Sequence, residues 1–424
     1  MEKPTRLLNK NFVLLWQGQL VSQLGSQAYM VAMMFWIKHQ TNSASIMGLL
    51  MMFSALPAVI LSPLAGTIVD RHSRKWIIVI CDLLSGAFIL ALALLIFLNP
   101  HGKQLIIGTL FFVGVVASII SAFFRPAISA SIPDIVPTDR LMTANSMNSF
   151  SMQISTFLGQ GSGGVLFRLL GAPVLFLIDA ISYFFSAVSE MFITIPQVIK
   201  TEGESNKKLL VAFKEDITEG FHFIWKNKGM RNLFIAAAAL NFFFTPIMIL
   251  LPFYVEDFLH KRADWFGFLV AGFGAGAMIG YLISSVLKVS GVRRSRSVSI
   301  ALVVMSICFG SLGLIRHAPS ALGLVLLIGM MSGYLNINIA TILQLTTPSE
   351  IRGRVFALLG TLSGGLAPIA MGLSGVVTDL LHHNIPLVLL LCGGATFVLS
   401  VVLGFNRDFR EFLMYEPAAE PEAS

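Results

Sequence analysis

The sequence predicts an all-α membrane protein, with twelve transmembrane helices arranged as two pseudo-symmetric six-helix bundles. Three observations lead there. Of the 424 residues, 55% are hydrophobic and 12% charged, and the apolar residues come in long runs rather than the short alternations of a soluble core. A run of about 20 residues, rising 1.5 Å each, crosses a hydrocarbon layer of ~30 Å. The lysines and arginines fall preferentially on one side of these runs, and the chain repeats itself weakly at a half-length offset. Because a bilayer offers the backbone no hydrogen bonds, the spanning element must be a helix, and the runs are too long for barrel strands.

In order, the apolar runs and their interruptions place helices at 12–38, 45–69, 76–98, 104–123, 141–168, 172–196, 231–257, 263–288, 298–315, 319–346, 353–380 and 385–405. The first follows MEKPTRLLNK, exceeds a signal-peptide core and has no small-residue cleavage site after it, so it is expected to remain attached as a helix. Orientation follows from the basic residues. The N-terminus, the even-numbered connections and the C-terminus carry 23 of the 29 Lys and Arg, and the opposite side carries 6. Both termini are therefore expected in the cytoplasm, with the chain crossing the cytoplasmic (inner) membrane many times.

The longest connection, roughly 197–230, opens with the polar KTEGESNKK. It continues as LLVAFKEDITEGFHFIWKNK, in which Phe213, Ile217, Phe221 and Ile224 recur at i, i+4, i+8 and i+11. That spacing predicts an amphipathic helix along the inner membrane surface. It divides the chain into a bundle at 1–196, a cytoplasmic linker at 197–230, and a second bundle with a short tail at 231–424. The repeat supports this division. VPTDRLMTAN (136–145) and TPSEIRGRVF (347–356) share Pro, a hydroxyl residue and an acid at an offset of 211, which also carries Gly161 onto Gly372 and Gly164 onto Gly375. Helices 5 and 11 are thus expected to start alike and to carry small residues at one depth.

Composition also excludes functions. The net charge of +7 is scattered through short loops with no aromatic platform beside it, which argues against nucleic-acid binding. Cys81, Cys308 and Cys392 lie in apolar runs without paired spacing, so neither disulfides nor a metal site are expected. There is no P-loop, no G-x-S-x-G and no H-E-x-x-H, and no cofactor or enzymatic chemistry is expected.

One polar stretch stands out. GTIVDRHSRK (66–75) places Gly66, Asp70, Arg71, Arg74 and Lys75 between two apolar runs. Topology alone accounts for the bases, but not for Asp70 at a helix end with Gly66 one turn before it. The stretch resembles the G-x-x-x-D-R-x-x-R-[RK] loop of the major facilitator superfamily. The resemblance implies a reversible latch on the cytoplasmic side, with Asp70 attracted to the positive end of helix 11 and Glu350, Arg352 and Arg354 taking part. LLNKNFVLLWQGQLVSQLG, FFRPAISASIPDIVPTDRLMTANSM, FLIDAISYFFSA and PSEIRGRVFALLG are similar to segments of the drug- and siderophore-exporting branch of that superfamily, which includes macrolide efflux pumps and enterobactin-type exporters. The likeness runs over essentially the whole chain.

GQGSGG (159–164) is similar to the G-P-x-x-G-G element of superfamily exporters, with Gln160 in place of the proline. Gly159, Gly161, Gly163 and Gly164, with Gly372 and Gly375, are the expected helix-packing pivot. Polar side chains within the apolar runs are functional candidates. Gln19, Gln23 and Gln27 form one face of helix 1; Asn145 and Asn148 lie in helix 5, Asn241 in helix 7, and Asn338 and Thr341 in helix 10. These either line a substrate cavity, with Met30, Met33, Met34 and Phe242 to Phe244, or bond helix to helix. The proton-coupling candidates are Asp82, Asp179 and Glu190, each weighed against a structural ion pair: Asp82 with the latch bases, Asp179 with Arg168. Helix 1 carries no acid and Arg125 comes only at the end of helix 4, unlike many superfamily proton antiporters, so proton coupling is implied by the resemblance alone.

The sequence therefore predicts a secondary active exporter of small, largely apolar molecules working by alternating access, with a proton as coupling ion and the lipid bilayer as surroundings, functioning as a monomer. The alternatives are an exporter dedicated to an endogenous siderophore or related metabolite, a lipid transporter, and a non-transporting membrane sensor.

Overall fold

A computed structural model of the chain describes residues 6–197, 218–287 and 289–416. They are helical throughout, with no strand among them. Helix α1 is Lys10–Thr41, α2 Ala44–Arg71, α3 Arg74–Leu98 and α4 Lys103–Ile135. The helical run Leu141–Met191 is broken at Gly171, whose φ of 74° lies in the left-handed region that glycine enters without steric cost. Its two parts are α5 (141–170) and α6 (172–191). After a short helix at 218–226 come α7 (Lys228–Phe253), α8 (Asp264–Leu287), α9 (Gly291–Ser311) and α10 (Ala318–Thr346). Helix α11 runs Ser349–Gly365 and resumes beyond Leu366 as Ala367–Leu380. Helix α12 is Ile385–Phe405, and a short α13 (Arg407–Leu413) follows.

Nine helical runs among the described residues are long and apolar enough to cross a membrane, one of them holding both α5 and α6. Helices α1 and α9 fall below that threshold for visible reasons. Five glutamines interrupt α1, and α9 opens with GVRRSRS. These first turns of α9, expected as a loop, are helical because Arg294 is buried and its guanidinium donates to the carbonyls of Leu413 (2.7 Å) and Tyr415. Helix α4 also runs further than expected, through Pro126 and Pro133 to Ile135. Proline removes one backbone donor, and neighbouring helices make that tolerable within a membrane protein.

Side chains close the helix ends. Asn9 caps α1 by accepting from Phe12 N–H at 3.1 Å, while its own amide donates to the Ile135 carbonyl at 2.7 Å and so fastens the end of α4 to the start of α1. Asn227, Asn384 and Asn406 cap α7, α12 and α13 in the same manner.

The chain forms two compact units. Unit 1 takes the described residues up to 197 together with Lys261–Gly267 and Met371–Asp379; unit 2 takes 218–260, Phe268–Ala370 and 380–416. In unit 1 a core of Phe12, Leu15, Val69, Ile78, Ile128 and Ile132 joins α1 to α4. In unit 2, α8 and α10 approach at backbone distance. A Cβ on Gly329 would overlap the Phe273 carbonyl and one on Gly276 the Leu326 carbonyl, so only glycine permits this crossing. Within the linker, 218–226 is helical and carries Phe221 stacked on Trp225 at 4.5 Å, both exposed; Phe213 and Ile217 of the expected amphipathic face lie outside the described residues.

Candidate functional site

Unit 2 contains a cavity of about 650 Å³. Leu240, Phe244, Met248 and Leu251 of α7, Phe273 of α8, and Phe309 of α9 give it apolar walls. Its polar groups are Asn241, Thr245, Ser332 and Asn336, and no charged side chain lines it. Thr245 donates to the Asn241 carbonyl at 2.7 Å and the Asn241 amide to the Ala237 carbonyl at 2.9 Å, so both are oriented by their own helix. Such a surface suits bulky apolar cargo steered by a few hydrogen bonds.

Of the sequence-predicted cavity residues, Asn241 and Phe244 line this space. Asn338 instead is buried and donates to Ser284 Oγ (3.1 Å) and the Tyr334 carbonyl (2.9 Å), an interhelical role. Thr341 is exposed and bonds the Ile337 carbonyl within its own helix. Gln27 accepts from Gln160 at 2.6 Å inside unit 1, Gln19 reaches Glu190, and the Gln23 carbonyl oxygen is buried without a partner. Asn145 is exposed and Asn148 half-buried on α5. Met33 and Met34 are core residues of α1, and Phe242 packs edge-on against Phe243. Thr245 and Ser332 had no signal in the sequence beyond polarity in an apolar run.

The three intramembrane acids lie in unit 1, Asp82 on α3 and Asp179 and Glu190 on α6, the latter two bonded by side chains of α1. Asp82, Asp179 and Glu190 are 1%, 0% and 1% exposed. Among the described residues none has a basic partner, which corrects the expected ion pairs. Arg74 bonds Asp70 (3.2 Å) and Asp134 (2.5 Å) instead of Asp82, and Arg168 bonds Asp264 (2.9 Å) instead of Asp179. Both bases sit at helix ends, where water and exposed acids are within reach, while the buried acids lie several turns inside. Hydroxyls and amides surround these acids. Ser26 donates to Asp179 at 3.2 Å and lies 3.0 Å from the Tyr183 hydroxyl, and Gln19 donates to Glu190 at 2.8 Å.

At the 66–75 loop, Arg74 is the hub. Its guanidinium holds Asp70, Asp134 and the Ala130 carbonyl (2.9 Å), while Gln197 accepts from Arg74 N–H and donates to the His72 carbonyl, each at 2.9 Å. Asp70 is exposed at 59%, and a Cβ on Gly66 would meet nothing within 4 Å. Arg71 ends α2, and Lys75 lies over the Trp76 ring at 5.7 Å. In unit 2, Arg352 donates to the Thr347 carbonyl at 3.3 Å and Arg354 pairs with Glu219 at 2.6 Å. The Glu350 side chain lies outside the described residues.

The predicted pivot glycines do bring helices together within unit 1. Gly159 and Gly163 lie against Gln27 and Val31 of α1. Gly164 lies on the Ala263 carbonyl and the Gly161 carbonyl on Gly267, at the first turn of α8; Gly375 lies on the Ala44 carbonyl and Gly372 on Met52, along the start of α2. Each junction ends in a charged contact that the sequence did not reveal. Arg168 grips Asp264, and Asp379 accepts from Ser43 Oγ (2.7 Å), Ala44 N–H (2.9 Å) and Ser45 N–H (2.9 Å). The offset of 211 that pairs the glycines also pairs Arg168 with Asp379. A carboxylate on the free N–H groups of a helix start is favoured by both hydrogen bonding and the helix dipole.

The profile of the transmembrane secretion effector family matches residues 4–421. Macrolide efflux protein A of Streptococcus pyogenes is 24% identical over 375 residues, 88% of this chain and 90% of that protein. The multidrug efflux pump Tap of Mycolicibacterium fortuitum is 23% identical over 369 residues, covering 85% and 87%. Among solved structures, the nucleoside transporter NupG superposes with a TM-score of 0.69 at 15% identity, over 96% of this chain and 99% of that one. A bacterial homolog of the human lysosomal transporter Spinster gives 0.68 at 14%, over 96% and 98%. Polytopic helical architecture, the 66–75 motif and a family match spanning nearly every residue agree: the chain belongs to the transmembrane secretion effector family, within the major facilitator superfamily of membrane transporters.

Proposed function

We propose that the protein exports small, largely apolar molecules of the drug or macrolide kind across the cytoplasmic membrane in exchange for protons. The observation that carries this reading is the uncharged cavity of unit 2, with Phe and Leu walls and Asn241, Thr245, Ser332 and Asn336 as hydrogen-bonding anchors. The names of the efflux relatives point the same way. Cargo occupies the cavity, and the two bundles alternate access to the two sides of the membrane, with the 66–75 loop securing the cytoplasmic side. Buried carboxyls in unit 1, held without a basic partner, supply a place for the exchanged proton. The bias of 23 basic residues against 6 supports a cytoplasmic position for both termini. The protein works as a monomer in the bilayer.

The test compares cells with and without the gene for retention of erythromycin and of a lipophilic dye, with and without a protonophore, and for small molecules in spent medium under iron-rich and iron-poor growth. Protonophore-sensitive extrusion, weakened by Phe244→Ala and Asn336→Leu at equal abundance, is the expected result. Disappearance of one endogenous metabolite from the medium, with drug and dye unaffected, replaces the reading with a dedicated metabolite exporter.

A further inference from the structure

Two of the buried carboxyls in unit 1 are within side-chain hydrogen-bonding reach of each other: Asp82 on α3 and Glu190 on α6. Both are 1% exposed. A hydrogen bond between two carboxyl groups needs a hydrogen, and two ionised carboxylates have none to share. Two anions in contact within a low-dielectric interior also repel strongly. The surroundings offer no compensating cation among the described residues. From α1, Gln19 Nε2 donates to Glu190 Oε1 at 2.8 Å. From α6, the fully buried Ser186 hydroxyl lies beside both acids; on α3 the neighbouring titratable group is the Cys81 thiol. Asp82 Oδ2, Glu190 Oε2 and Ser186 Oγ are buried without a fixed partner, so this polar pocket has unused acceptor and donor capacity.

Asp179 lies further along α6. It stands eleven residues before Glu190 on α6, about 16 Å along the helix axis at 1.5 Å per residue, and is engaged by Ser26 and Ser182. Asp82 nonetheless acts electrostatically on Asp179 and on the Tyr183 hydroxyl, so these two groups of α6 also face the pair, whereas Arg74 of the 66–75 loop is committed to Asp70 and Asp134.

Resting on the proton-exchange reading above, we infer that Asp82 and Glu190 form a single ion site that binds one exchangeable proton between them, and that this site couples proton entry to export. Gln19 is a positioning residue: by occupying Glu190 Oε1 it leaves Oε2 for the shared hydrogen. Loading converts a dianion into a hydrogen-bonded monoanion, and unloading returns the proton. No other reactant is needed. The departure from acid-bearing first helices is then intelligible, since α1 contributes the amide that orients the acid and α3 and α6 contribute the acids.

The test uses the full-length protein purified in detergent and in liposomes. Infrared difference spectra across a pH titration are expected to show one protonated-carboxyl carbonyl band that disappears in both Asp82→Asn and Glu190→Gln, and that titrates at a different pH in Gln19→Ala. In liposomes containing a trapped pH dye, erythromycin is expected to drive proton movement through the wild type, and both acid variants are expected to fall to the level of empty liposomes. Should Asp82→Asn aggregate on size exclusion, Glu190→Gln and Gln19→Ala read the same band. Persistence of the band in Glu190→Gln, or undiminished proton movement through that variant, overturns the inference. So does loss of the wild-type band on adding sodium together with transport driven by a sodium gradient, which would make this a sodium site. Erythromycin transport by the wild type without proton movement sinks the coupling role and the exchange reading, while the infrared band still reports separately on the shared proton.

Discussion

The two units handle polarity inside the membrane in opposite ways. Unit 1 buries Asp82, Asp179 and Glu190 among serines, tyrosines and a glutamine, without a base, and packs its helices so closely around them that Gly159 and Gly163 touch α1 directly. Unit 2 encloses about 650 Å³ of space and lines it with apolar and neutral groups. Burying a carboxyl is costly and leaving a cavity is costly, and these acids lie in unit 1 while this cavity lies in unit 2. Separating them lets one unit handle an ion and the other a bulky uncharged surface. A charge in the cavity would hold ordered water against an apolar cargo, and a void beside the acids would let water screen them.

Moving a charge across this division should have the largest effect. Leu335→Asp places an unpaired carboxylate at a buried position on the wall of the unit 2 cavity, and should cost about 3–5 kcal/mol. Thermal unfolding in detergent and membrane abundance are the readouts; unchanged stability would show that the cavity is as hospitable to charge as unit 1. The converse change sharpens the contrast. Asp82→Leu should leave stability unaltered or raise it by about 1 kcal/mol while export is lost, because a buried acid kept for function is replaced by a packing group.

The glycine junctions come next. Gly164→Leu must displace the Ala263 backbone and Gly375→Leu the Ala44 backbone, each at about 1–3 kcal/mol or more, with similar losses of transport expected at the two junctions. A large loss at one and none at the other would refute their equivalence. Smaller still are the charged contacts that end them. Asp379→Asn removes a carboxylate from the start of α2 and should cost about 1–2 kcal/mol in thermal unfolding. Arg168→Gln breaks a half-exposed pair and should cost less than about 1 kcal/mol. Thr341→Ala, exposed and bonded only to its own helix, should stay within about 0.5 kcal/mol and leave transport unchanged.

How far these features were legible depends on the range of the interaction. Gly161, Gly164, Gly372 and Gly375 could be matched from the sequence because a duplicated helix keeps its small residues at the same depth, and the structure places them at equivalent junctions. Their charged neighbours were missed, since Arg168 and Asp379 are chemical opposites although they occupy equivalent places. Arg168 was expected to meet Asp179 because the two are close in sequence, but the turn at Gly171 sends α6 back with Asp179 inside the unit, and Arg168 meets Asp264 instead. Phe244 and Asn241 were recognisable cavity candidates. Asn338, of the same residue type in a similar setting, proved to be an interhelical bond to Ser284, and nothing in one helix distinguishes the two roles.

By itself the sequence determined the helical, membrane-spanning character and the family, because hydrophobic run length, backbone satisfaction in lipid and short motifs are local properties. Only the tertiary structure decided that Asp82 meets Glu190 and not a base, that Asp379 meets the start of α2, and that Asn241 and Phe244 line a cavity in unit 2. Those are decided by which faces of distant helices pack together, and a helix can be rotated about its own axis without changing its hydrophobicity or its length.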